Sequence, residues 1–285
     1  MRADLQKATW RLIEIADSEI IHNRRKRKPV WNWLEQNLRR VKVEVPPTDV
    51  LYEIANANKK EDQSIDDMVR SYDQSMKAIN DGVFYFDFNN APGRLYTNLT
   101  SLKRELRSFV RVDGRPLAEL DMKTSQAVLL AHYMRHTKTI RRLDTVFESA
   151  LEADLYAELA NAAGTTRSKA KEEFVEHILF GANGYKSNVK TALTVRFPKT
   201  AEFLRQQKEQ DEGASKLATA LQKLEAQAVI HKTADRIRKQ RPEVFLATIH
   251  DSILIFPDDL CYAQHVFQDE LRKLKINAKL KGQSL

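Results

Sequence analysis

The chain has 285 residues, 42% of them hydrophobic and 30% charged, with a formal net charge of +8 and one cysteine, Cys261. This composition describes a globular chain with a real core, and it excludes an internal disulfide and a cysteine-rich zinc site. No run of 18 apolar residues is present, so no membrane-spanning helix is expected, and the basic surplus suits a polyanionic partner.

The opening residues, Met1 to Trp10, are polar and mixed in charge, with no signal-peptide core, so a cytoplasmic setting is expected. Residues 3–42 carry apolar residues at helical spacing (Trp10, Ile13, Ile20, Ile21, then Trp31, Trp33 and Leu34). Pro46-Pro47 breaks that pattern, and a second helical stretch runs from Thr48 to Asn80. Asp81-Gly82 marks a turn. Val83 to Phe88 reads as a strand, Asn89 to Gly93 as a loop and Arg94 to Asn98 as another strand. Leu102 to Val110 reads as a short helix, Val112 to Arg115 as a turn, and Pro116 to Met122 as a strand leading into a helix over Ser125–His136.

From Asp144 to Gln222 the pattern is almost entirely helical, interrupted at Gly164-Thr-Thr166, the 181–188 loop and Pro198. A long helix over Lys216–Arg241 places Leu217, Leu221, Leu224, Ala228 and Ile237 on one stripe and stops at Pro242. Val244–Ile249, His250-Asp-Ser252 and Ile253–Phe256 read as strand, tight turn and strand, before a last helix over Leu260–Leu274. The pattern is α+β: a small antiparallel sheet with flanking helices and a helical insertion.

Two aspartates close apolar, strand-like runs. A carboxylate at a buried strand end must be paired or must bind a metal. Taken alone, Asp121 also reads as a helix N-cap, and Asp251 as an ordinary polar turn. Arg167 and Lys171 stand four apart and share a helix face. Such a face is either solvated or set to neutralise a triphosphate. Gly164 to Lys169 lacks the second glycine and the ending of a phosphate-binding P-loop. Basic clusters at 24–28, 39–40, 103–104, 141–142 and 236–241 read as solvated faces or as phosphate contacts. Trp31 and Trp33 read as core residues.

Four blocks, in order, resemble the family A DNA polymerases and their relatives, the single-subunit phage and mitochondrial RNA polymerases. Gly93-Arg-Leu resembles the block before the palm. Leu120-Asp121 through Ala131-His132 resembles motif A. Arg167-x-x-x-Lys171 through Phe180-Gly181 resembles motif B, and Thr248-Ile-His250-Asp251-Ser252 resembles motif C. The resemblance implies a template-directed polymerase, with DNA preferred, that transfers nucleotides to a 3′-hydroxyl and releases pyrophosphate. The alternatives are a compact RNA polymerase or primase, and a catalytically silent nucleic-acid-binding module. It implies a helical, basic thumb-like region over 1–82, palm over 83–150 and 214–285, and fingers over 151–213. At this length no proofreading exonuclease or promoter-binding domain is expected.

By the same resemblance, Asp121 and Asp251 hold two Mg²⁺ ions (Mn²⁺ is the alternative), and Met122 adds a backbone carbonyl. Arg167 and Lys171 grip the nucleoside triphosphate, Lys171 serves as proton donor, and Phe180 stacks near the base. Arg94, Gln227 and His250 contact primer and template. A protein partner for processivity is compatible.

Three departures stand out. Lys171 to Phe180 is one residue longer than the usual spacing, so either the helix holds a bulge or one assignment shifts by one. Gln126 stands where DNA polymerases carry Glu as a wall against the ribose 2′-hydroxyl and RNA polymerases carry Gly; its bulk leans toward deoxynucleotides. Motif C ends in Ser, as in the RNA polymerases, while Phe180 lacks the Tyr hydroxyl that RNA polymerases use.

Overall fold

The computed structural model describes residues 28–59, 62–88, 93–137, 144–210 and 213–285. The readings that fall on Trp10, Ile13, Ile20, Ile21, the 24–27 basic residues and Arg141-Arg142 lie outside them. The fold is α+β, as the periodicity predicts. Its centre is a four-stranded antiparallel sheet in the order β7-β8-β6-β9, built from β6 (Ala118–Met122), β7 (Leu246–Ile249), β8 (Ser252–Ile255) and β9 (Leu280–Ser284). Strands β6, β7 and β8 are buried along nearly their whole length, which fits their continuous apolar runs. Helix Leu260–Lys273 packs on this sheet through Ala263, Val266, Phe267 and Leu271.

Two smaller sheets flank the centre. Strands β2 (Phe86–Phe88) and β3 (Leu95–Thr97) pair with each other. Strands β1 (Val41–Val43), β4 (Val110–Val112) and β5 (Arg115–Pro116) form the other sheet, with β4 and β5 joined at Asp113-Gly114. Both turn residues have positive φ, +51° and +75°, the backbone that an Asp-Gly pair favours in a two-residue hairpin.

The first described helix, Pro29–Leu38, buries Val30, Trp33, Leu34 and Leu38. It gives way to β1 at Val41, where helical spacing predicts helix through 42; pairing with β4 overrides the local pattern. The Trp33 indole donates to the Pro242 carbonyl at 2.9 Å, and Trp31 packs on Phe88, in keeping with core roles for both. The Asn80 side chain bonds both backbone groups of Val43. The 48–80 stretch divides into helices Thr48–Asn58 and Ile65–Asn80, the second capped by the Ser64 hydroxyl. Leu280 to Ser284 is polar and half exposed and does not read as a strand; β6 recruits it as β9 through backbone pairing, with the Gln283 amide donating to the Glu119 carboxylate at 2.9 Å.

The helical part runs through Thr145–Glu152, Leu155–Ala163, Arg167–Leu179, Asn188–Arg196 and Pro198–Glu209. The long helix after it begins at Gly213, passes through a π-helical stretch, Gln227–Ala234, and ends at Gln240. Part of the basic charge is paired within the chain. Arg40 pairs with Asp113, Arg236 with Asp269 and Glu270, Arg238 with Asp235, and Arg241 with Glu243 and Asp259.

Candidate active site

Strand β6 ends at Asp121-Met122, and the β7–β8 hairpin turns at His250-Asp251. In the ladder Asp121 lies opposite Ser252, and the Met122 N–H donates to the Asp251 carbonyl at 3.3 Å. The two aspartates therefore stand at neighbouring ends of adjacent strands, whose axes lie about 5 Å apart. The turn closes tightly because the Ser252 hydroxyl lies 3.1 Å from the Ile249 carbonyl and 2.9 Å from a Glu119 carboxylate oxygen. His250 takes φ +50°, a conformation that costs a non-glycine residue about 1 kcal/mol or more.

Both aspartates open into a cleft of about 430 Å³. Arg94, Met122, Gln126, Lys171, Phe180 and His250 line it with them. Arg167 and Gln227 are not among its lining residues. Arg167 sits at the rim, bound to Asp154 at 2.7 Å with its guanidinium over the Tyr156 ring, and Tyr156 does line the cleft. Gln227 is exposed at the start of the π-helical stretch; Glu225, two residues earlier, occupies the cleft wall.

The long spacing from Lys171 to Phe180 has a local explanation. The helix that starts at Arg167 widens to π-helix over Glu173–Leu179, and the Phe180 N–H reaches the Val175 carbonyl, five residues back, at 3.2 Å. The widened turn absorbs one residue, so Lys171 and Phe180 face the same cleft. Gly181 follows where a Cβ would stand 2.5 Å from the His177 carbonyl oxygen, too close for any side chain.

The Asp121 and Asp251 side chains have no hydrogen bond or ion pair among the described residues. Burial first, and the neighbouring Asp251 second, hold the Asp121 carboxyl up at about 7, against an ordinary 3.8. Lys171 and Arg104 pull it down only in part. Two such carboxylates fit a cation that draws further ligands from water and substrate, as Mg²⁺ does. Among the described residues no group of three or more His, Cys, Asp or Glu forms a closed metal cage. Burial first, and the nearby Arg94 second, lower the His250 imidazole below its usual range.

Sequence reasoning missed Arg107, Glu119, Tyr156 and Glu225, all of which line the cleft, as does Arg104 from the 103–104 basic cluster. Glu225 had a signal. It falls four residues after Leu221 and eight after Leu217, on the apolar stripe of the long helix, where a charge needs a partner. Its carboxylate takes Arg94 Nε at 2.8 Å, an Arg94 terminal nitrogen at 2.6 Å and Gln126 Nε2 at 2.7 Å. Gly93 precedes Arg94 at φ +73°, a backbone conformation that favours glycine.

No family model and no curated protein matches the chain. Among solved structures it is similar to the POL domain of Pol1 from M. smegmatis, described in complex with DNA primer-template and dNTP. The likeness has a TM-score of 0.55 at 12% identity and covers 86% of this chain and 57% of that one. The chain thus spans little more than half the length of that neighbour, and the shared property is the fold of a polymerase domain, palm and fingers. No helix among the described residues is long and apolar enough to cross a membrane.

Proposed function

We propose that the chain is a template-directed nucleotide polymerase, with DNA synthesis preferred, that extends a 3′-hydroxyl and releases pyrophosphate. The reading is carried by the convergence of two unpartnered carboxylates, Asp121 and Asp251, with Lys171 and Phe180 on one cleft of a polymerase-type fold. Asp121 and Asp251, with the Met122 carbonyl, would hold two Mg²⁺ ions, which when bound lower the pKa of the attacking hydroxyl and neutralise the triphosphate.

The chain's own groups do the rest. Lys171 brings positive charge to the triphosphate and donates a proton to the leaving pyrophosphate. Arg167, steadied at the rim by Asp154, meets the outer phosphates. Phe180, carried on the π-widened helix, packs against the incoming base, and Gln126 borders the sugar. Arg94 and His250 reach the primer end from the palm. Gln227, exposed on the long helix, faces the duplex outside the cleft. The helices before residue 82 serve as a reduced thumb.

The test is primer extension on a DNA template with Mg²⁺, alongside binding of the same primer-template. Asp251→Asn should lower extension at least about a thousandfold and leave DNA binding within a few-fold of the parent. Undiminished extension by that variant would refute the assignment.

A further inference from the structure

We propose that Lys208 is a positioning residue for Phe180: from a cavity behind the fingers helix, its ammonium grips the chain on both sides of that ring and so sets how tightly the cleft holds a nucleotide. The inference rests on the polymerase reading above and adds a determinant of nucleotide affinity that lies outside the cleft.

The end of helix Arg167–Leu179 is a wall with two faces. Val175 and Phe180 line the cleft, whereas Ile178 lines a separate cavity of about 490 Å³. Helices Asn188–Arg196 and Pro198–Glu209 supply much of the rest of that cavity's lining, Lys190 and Lys208 included. The last carbonyls of a helix have no partner within it and carry partial negative charge. Here cations from two later helices meet the end of the helix and the loop after it. Lys208 Nζ donates to the Ile178 carbonyl at 2.5 Å and to the Gly181 carbonyl at 2.7 Å, two residues before Phe180 and one after it. Lys190 Nζ donates to the Asn183 and Tyr185 carbonyls at 2.8 and 2.9 Å, and the Tyr185 ring stacks on His177 at 4.5 Å.

Two ammoniums thus hold four carbonyls of the 178–185 segment. They do so against their own repulsion: burial first, and Lys190 second, lower the Lys208 ammonium to about 8. The acidic groups of the same cavity do not compete for it, because Glu202 and Glu209 are both bound to Arg205. Phe180 follows a π-helical turn, and its own N–H is tied to Val175. Without Lys208 the wide turn loses the anchor at its end. Relaxation toward α-helix changes the register by one residue, and one residue turns a side chain by about 100°, which takes the Phe180 ring off the cleft wall.

The experiment measures kcat and KM for the nucleotide in primer extension, for the parent, Lys208→Met, Lys208→Arg, Phe180→Ala and the double variant Phe180→Ala with Lys208→Met, with thermal melting to confirm folding. Methionine keeps the length and removes the donors. Lys208→Met should raise KM about tenfold and change kcat less than about threefold, because contact with the base is made before and during transfer alike. Lys208→Arg keeps charge and donors and should bring KM back within about threefold of the parent. In the Phe180→Ala background, Lys208→Met should raise KM no further, the mark of a residue acting through another. If Lys208→Met fails to fold, Lys208→Gln, which keeps a neutral donor, decides by the same split. An unchanged KM in the folded variant overturns the proposal. So does a fall in kcat at constant KM, which is the sign of a smaller folded fraction, and so does a full further rise in the Phe180→Ala background. A parent that extends no primer overturns the polymerase reading, and this proposal with it.

Discussion

The cleft has two ends, and they treat buried carboxylates in opposite ways. At the Arg94 end, Glu225 is almost fully enclosed and fully bonded, to an arginine fork and an amide. Glu119, in the middle of β6, is likewise bonded, to Ser252 and to Gln283 from β9. At the hairpin end, Asp121 and Asp251 face each other without a hydrogen bond among the described residues. Folding normally pairs a buried charge, because an unpaired one is expensive. A pair that escapes this rule, beside others that obey it, marks where the protein leaves room for something it does not itself supply. The contrast separates scaffold charge from working charge more sharply than sequence position does.

The comparison can be broken first at its paired end. Glu225→Ala would leave the Arg94 guanidinium enclosed without a counter-charge. Removing one partner of a buried pair costs about 3–4 kcal/mol, and urea unfolding should show a loss of that size. A loss below about 1 kcal/mol would mean that the fork is replaceable and the two ends are not so different.

The unpaired end should behave the other way. The folded Asp121 carboxyl sits at about 7 and the unfolded one near 3.8. Between those values the unfolded chain has given up its proton while the folded chain still holds it. Metal-free stability therefore falls as pH rises from about 4 to about 7, and is level above that. Asp121→Asn should flatten this slope and stabilise the metal-free chain at pH 8 by about 2 kcal/mol, discounted for the solvent contact the group keeps. Mg²⁺ should raise the melting temperature of the parent and leave that of the variant in place. An Asn variant less stable than its parent at pH 8 would show that Asp121 is a paired, structural carboxylate.

The sequence made the aspartate end legible and the paired end almost invisible. Asp121 and Asp251 end apolar runs, a pattern that run length and burial cost make readable, and the central strands β6, β7 and β8 were readable on the same ground. The extra residue between Lys171 and Phe180 signalled a bulge or a shift of register, and only coordinates could choose the π-helical turn. Glu225 and Glu119 could be read as charges inside apolar patterns, but their partners, Arg94, Gln126 and Gln283, lie 99 to 164 residues away. No local rule supplies a partner at that distance. Strand β9 was hidden for a related reason: its place is set by the open edge of β6 and by the distant Glu119 that its Gln283 meets, and not by a local pattern. On the helix that carries Gln227, the residue that lines the cleft is Glu225, two positions earlier.

The smallest prediction applies the same contrast to the backbone. Four described non-glycine residues have positive φ: Asp113, Thr124, His250 and Lys275. Thr124 and His250 line the cleft, where strain accompanies a fixed turn beside the aspartates. Lys275 does not. It follows helix Leu260–Lys273 at φ +58°, its side chain is exposed, and only its backbone is engaged, the carbonyl lying 3.3 Å from His132 Nδ1. Glycine is the residue suited to that conformation just past a helix end. Lys275→Gly should therefore stabilise the chain by about 1 kcal/mol in denaturant unfolding, with extension unchanged. His250→Gly relieves the same backbone strain but also deletes a cleft side chain, so it should lower extension whatever it does to stability. If Lys275→Gly were to impair extension as much as His250→Gly does, strain at the hairpin would not distinguish the cleft from the rest of the fold.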